Sequence, residues 1–102
     1  MNPRVVCICG STRFRDHFTR ARRDFTLAGL VVLSPSVFGH AGDTVTPEQK
    51  VNLDKLQLHM IDLADFIYVL NPGGYIGDST RNEIRHARAT GKNIIFFEPA
   101  IA

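Results

Sequence analysis

Four short apolar runs recur along the chain: RVVCIC (4–9), LVVLS (30–34), FIYVL (66–70) and NIIFF (93–97). Each is almost continuously apolar and rich in β-branched or aromatic residues. That is how a strand covered on both faces reads. Helical patterns separate them. Phe14, Phe18, Ala21, Phe25 and Ala28 fall at three- and four-residue spacing and form one apolar stripe, which Gly29 ends. A second helix starts at TPEQ (46–49), with Thr46 as N-cap, Pro47 at the first helical position and Gln49 completing a capping box. Its expected core face is Leu53, Leu56, Met60 and Leu63. A third helix follows the loop after FIYVL and ends near Gly91. The order β-α-β-α-β-α-β predicts a parallel sheet with right-handed crossovers and helices on both faces. The expected fold is an α/β, flavodoxin- or Rossmann-like three-layer sandwich with four strands in the order 2-1-3-4. A chain of 102 residues is expected to form a single domain, 1–102.

In such a sheet a ligand binds beyond the carboxyl ends of the strands, where strand order reverses. Here that point lies between strands one and three. The loops that flank it, CGSTRF (9–14) and NPGGYIGDST (71–80), are the most glycine- and hydroxyl-rich corners of the chain. Each opens a helix, whose free N–H groups attract anions. Gly10 allows close approach of a ligand, Ser11 and Thr12 supply hydroxyls, and Arg13 or Arg15 supplies a charge suited to phosphate. The alternative is an ordinary turn with Ser11 or Thr12 as N-cap. Neither corner is a dinucleotide-binding or Walker loop, because the required glycines and Lys are missing.

Glu83 closes the second corner. TRNE (80–83) matches a capping box with Thr80 as cap and Glu83 reaching back. The other reading is an ionised carboxylate near a helix start, beside an anion pocket, able to attack a sugar carbon or stabilise an oxocarbenium ion. Asp78 and Ser79 are either caps or contacts to sugar and phosphate. Tyr75, between the glycines of a loop that holds Gly74 and Gly77, could stack on a base. Asn71, at the crevice mouth, could read a sugar hydroxyl. Asp65, at the foot of strand three, is expected to pair locally.

Other features narrow the function class. Twelve basic against ten acidic residues leave a net charge of +2, too mild for a nucleic-acid footprint. No apolar run reaches the roughly 18 residues of a membrane span. MNPR runs directly into VVCIC without signal-peptide anatomy, so the expected address is cytoplasmic. His17, His40, His59 and His86 show no metal-ligand spacing, and no metal or cofactor is expected. Cys7 and Cys9 share one face of a strand and are expected to be unpaired core residues.

Taken together, CICGSTRF, the long segment LDKLQLHMIDLADFIYVLNPGGYIGDSTRNEIRHA and the closing GKNIIFF resemble the nucleoside 2-deoxyribosyltransferase superfamily over nearly the whole chain. The resemblance implies a flavodoxin-like fold and cleavage of the base–sugar bond of a deoxynucleoside or a nucleoside 5'-monophosphate. It places the catalytic Glu at Glu83, which would form a covalent glycosyl-enzyme, and a phosphate-binding Ser at Ser11. It also implies a homodimer, in line with the surplus of apolar residues on the second helix. Two positions depart from the pattern. Cys7 stands where the similar hydrolases carry Tyr, and Gln57 where they carry Asp. The resemblance further implies residues lent by a neighbouring subunit's C-terminal extension, expected to be short here. The alternative function is a catalytically silent nucleotide-binding module on the same fold.

Overall fold

A computed structural model of the chain describes residues 2–99. Four strands, β1 (Val5–Gly10), β2 (Val31–Leu33), β3 (Phe66–Leu70) and β4 (Asn93–Phe96), alternate with helices α1 (Arg15–Leu27), α2 (Pro47–Leu63) and α3 (Asp78–Ala89). The sheet is wholly parallel, in the order β2-β1-β3-β4. The expected α/β architecture is therefore present, and β1 and β3 are the central neighbours at the reversal point.

Residue alternation along the strands divides the core in two. On one face Cys7, Cys9, Ile67 and Val69 pack under Ile61 and Ala64 of the α2 end and Ile84 and Ala87 of α3. On the other, Ile8 and Leu70 pack under Phe18 and Ala21 of α1 and under Phe38 of the loop after β2. Fully burying a side chain such as Phe18 or Ile61 stabilises the fold by about 1.5–3 kcal/mol. Gly29, at a φ of 89°, ends α1 as expected.

Helix α2 begins as its sequence predicts. Gln49 N–H donates to the Thr46 hydroxyl, and Thr46 N–H donates to the Gln49 side-chain oxygen. Its core face is rotated from the expected one. Ile61 is buried and Leu53 and Met60 are half-buried, but Leu56 and Leu63 are 56% and 72% exposed. The reason lies partly in Gln57, which is buried in their place.

Strand β2 is shorter than LVVLS, and its end explains Gln57. The Val31 N–H donates to the Arg4 carbonyl. Extending that ladder in two-residue steps brings position 35 to the carbonyl of Ile8. Pro35 has no N–H, so the ladder cannot continue. Gln57 supplies the missing donor, its side-chain amide reaching the Ile8 carbonyl at 3.1 Å. It also lies 3.4 and 3.5 Å from the sulfurs of Cys7 and Cys9. Both cysteines are buried and free, as expected. Among the described residues no helix is long and apolar enough to cross a membrane.

Candidate functional site

The first corner is shaped by the contact between β1 and β3. Gly10 pairs with Leu70 and has a φ of 150°. A Cβ there would sit 2.9 Å from the Leu70 carbonyl oxygen and 3.0 Å from its Cβ, so only glycine fits. The chain then turns: Phe14 N–H donates to the Ser11 carbonyl at 3.0 Å, and Arg13 N–H donates to the Ser11 hydroxyl at 3.3 Å. Neither Ser11 nor Thr12 caps the helix. The N-cap position falls to Phe14, with no side-chain hydrogen bond to the first turn of α1. Thr12 instead accepts from the His40 N–H at 3.3 Å. Arg15 pairs with Asp43 at 3.1 Å, and the Phe38 N–H and Arg15 together hold the Asp43 carboxyl below its usual range. Arg13 carries the corner's other charge.

The second corner leans on the first. The Arg13 guanidinium lies over the Tyr75 ring at 4.2 Å, and the Tyr75 and Phe14 rings meet edge-on at 6.0 Å. Tyr75 thus joins the two loops and is 40% exposed. Gly74, at a φ of 79°, lets the chain turn into it. Asn71 directly follows β3, as expected, but its amide is already committed. It is buried, donates to the Glu98 carbonyl at 3.1 Å and accepts from the Glu98 N–H at 2.8 Å. Both ends of its amide hold the chain leaving β4. Asp65, at the foot of β3, accepts from the Val5 N–H at 2.7 Å, the local pairing expected of it.

The capping box read in TRNE does not form. Helix α3 starts at Asp78 with Gly77 as its N-cap, and no side chain bonds to that cap. Thr80 is already inside the helix and buried. Glu83 stands a turn further in, facing the sheet rather than the helix start.

A shallow cleft of about 250 Å³ opens between α2 and the first turns of α3, lined by Asp54, Leu58, Asp78, Ser79, Asn82 and Glu83. Lys50 crosses part of it, bonding Asp54 on its own helix and reaching the Ser79 hydroxyl on α3 at 3.3 Å. Asp78 pairs with Arg81 at the outer rim. Glu83 is only 9% exposed, yet among the described residues no nitrogen or oxygen donor bonds its carboxylate. Burial pushes its pKa up to about 7; the neighbouring Cys9 thiol pulls the other way, the Asp54 charge raises it and Lys50 lowers it. The Cys9 thiol is in turn held well above its usual range by its hydrogen bond with Cys7, by burial and by the charges of Cys7 and Glu83. It therefore faces Glu83 as a neutral, weak donor. Burial thus brings the ionisation of Glu83 from the usual carboxylate range towards neutral pH, a shift common among groups at functional sites.

The structure thus gathers Glu83, Asp78 and Ser79 around one cleft and joins Ser11, Arg13 and Tyr75 at the adjoining corner. Gly10 connects the two, because it follows the Cys9 whose thiol lies beside Glu83. Sequence reasoning missed the α2 wall, Lys50, Asp54 and Leu58, and also Asn82. The four-residue spacing of the α2 group was visible as one helical stripe, but nothing in it tells which stripe faces α3. Among the described residues no three His, Cys, Asp or Glu side chains converge as a metal ion requires. Compared with known proteins, the chain matches no family model and no curated protein.

Proposed function

We propose that the protein cleaves the N-glycosidic bond of a nucleoside or deoxynucleoside 5'-monophosphate, in keeping with its resemblance to the nucleoside 2-deoxyribosyltransferases. The observation that carries this reading is the unoccupied Glu83 carboxylate, nine-tenths buried yet lining an open cleft. Ionised Glu83 attacks the anomeric carbon as the base departs with the bonding electron pair, giving a glycosyl ester. Water then releases the sugar phosphate. Ser11, Arg13 and the uncapped start of α1 take the 5'-phosphate. The Arg13 guanidinium, held over the Tyr75 ring, offers its N–H groups to that anion. Asp78, Ser79 and Asn82 face the sugar.

The second reading, a nucleotide-binding module without activity, is favoured by Gln57. Its amide is committed to the Ile8 carbonyl and cannot act as a base. Chromatography of a panel of nucleosides and their 5'-monophosphates separates the two readings. Free base should appear, and the monophosphates should be favoured by roughly 10- to 1,000-fold in kcat/KM, the worth of one or two charge-assisted hydrogen bonds. Binding of monophosphates with no base released from any of them leaves the silent module.

We also propose a homodimer that covers Val51, Leu56 and Leu63, the large apolar side chains α2 leaves in solvent. Light scattering at about 10–100 μM, where even a weak dimer forms, should give twice the chain mass. A clean monomer there removes the dimer.

A further inference from the structure

The second half of a double-displacement glycosidase needs a base for the attacking water, and Gln57 is unavailable for that work. It is 5% exposed and its amide closes the gap that Pro35 leaves in the β1–β2 ladder. One turn earlier on the same helix stands Asp54, which lines the cleft together with Glu83. The two carboxylates are held in contrasting ways. Glu83 is buried with no oxygen or nitrogen donor against it among the described residues, whereas the Asp54 side chain is 53% exposed and gripped by Lys50. Lys50 also bonds Ser79, so the same ammonium that orients Asp54 ties α2 to the first turn of α3. A water entering the open cleft next to a Glu83-bound sugar would meet Asp54 on the solvent side. Glu83 and Asp54 thus sit in contrasting environments within one cleft, which lets a single site give its two carboxylates different roles.

We infer that Asp54 is a catalytic residue of the proposed reaction, the general base for the water that resolves the glycosyl–Glu83 ester. In that step the water oxygen bonds to the anomeric carbon and its proton passes to Asp54. The bond between that carbon and the Glu83 oxygen breaks, and the electron pair returns to Glu83 as carboxylate. Asp54 then gives its proton to solvent through the open side of the cleft. No reactant other than water is required. The inference rests on the glycosidase reading and adds the second carboxylate to it.

The test compares wild type with Asp54→Asn on a nucleoside monophosphate that wild type turns over. Three readouts are followed: steady-state base release, the first-turnover burst, and the intact mass of the protein. Asp54→Asn should keep the burst and lose roughly 100- to 10,000-fold in steady-state rate, the usual worth of a general base. A sugar-phosphate adduct should accumulate on Glu83. Azide, a nucleophile that needs no base, should restore turnover and yield the glycosyl azide. A merely structural Asp54 would lower burst and steady state together, with no adduct and no rescue. That result, or unchanged turnover, overturns the role of Asp54 while the glycosidase stands. Wild type that releases no base from any nucleotide overturns both.

Discussion

Thr46 and Gln49 close the start of α2 with two reciprocal hydrogen bonds, whereas the start of α3, at Gly77, receives none from any side chain. The two helices pack together on one face of the sheet, and both begin near the carboxyl ends of the strands. Their sequences advertise the same device, TPEQ in one and TRNE in the other. Along α2, the polar residues near the core serve the fold: Thr46 and Gln49 the cap, Gln57 the Ile8 carbonyl. Along α3, Glu83 is buried, and among the described residues only the weak Cys9 thiol faces its carboxyl as a hydrogen-bond donor. A buried carboxylate with so weak a donor destabilises the folded state when ionised, and carboxyls perturbed in this way cluster at functional sites. The contrast teaches that matching cap motifs on neighbouring helices can have opposite fates. One is architecture. The other leaves a buried carboxylate lining a cleft.

The largest expected effect separates Glu83 from any capping role through stability. Its pKa rises from 4.5 to about 7 on folding, chiefly through burial. The folded protein therefore holds this proton more tightly than the unfolded chain does. Stability from this source is full below pH 4.5 and falls as pH rises towards 7, by on the order of 3 kcal/mol. Glu83→Gln cannot ionise and should escape that fall. Urea unfolding at pH 8 should find the variant about 3 kcal/mol more stable than wild type, with the gap closing near pH 4. A capping-box Glu would show no such crossover, since Gln serves that box equally well. Equal stability of the two proteins at both pH values would show that folding leaves the Glu83 carboxyl unperturbed.

A smaller effect sharpens the other side of the comparison. Gln57→Leu keeps the buried volume roughly constant but leaves the Ile8 carbonyl without a donor. The loss should be about 1–3 kcal/mol, the penalty for a buried acceptor left unpaired. Its sign is opposite to that of Glu83→Gln at pH 8. If Gln57→Leu proved neutral or stabilising, α2 would no longer be the helix whose polar residues belong to the fold.

Much of the architecture was legible because the central strands β1 and β3 are covered on both faces. FIYVL and VVCIC therefore read as unbroken apolar runs, and the alternation of strands and helices pointed to a parallel sheet, for which 2-1-3-4 is the flavodoxin-like order. The start of α2 was legible because Thr46, Pro47 and Gln49 act within one turn. The start of α3 was not, because a capping motif does not say where a helix begins. Gly77 and Asp78 begin it ahead of Thr80, which moves Glu83 from the helix start to the sheet side. The core face of α2 was misread for a different reason. Leu53, Leu56, Leu58, Met60, Ile61 and Leu63 surround the helix, so apolar spacing alone cannot choose a face. The choice is made by Gln57, and the need for Gln57 arises from a proline at the end of a distant strand. Asn71 was placed at the right corner, but its amide partners came from Glu98, a contact only the folded chain creates. Asp54 was out of reach for the same reason, since its importance depends on α3 lying opposite.

The most direct test of the account is base release by Glu83→Gln, measured with binding of the same nucleoside monophosphate by calorimetry. The account predicts that wild type releases free base and that its rate rises with pH through about 7, as Glu83 ionises. The variant should bind the nucleotide with little change in affinity and release no detectable base. A variant that binds the nucleotide and turns it over at the wild-type rate would contradict the central claim, because the buried carboxylate of α3 would then have no part in the chemistry.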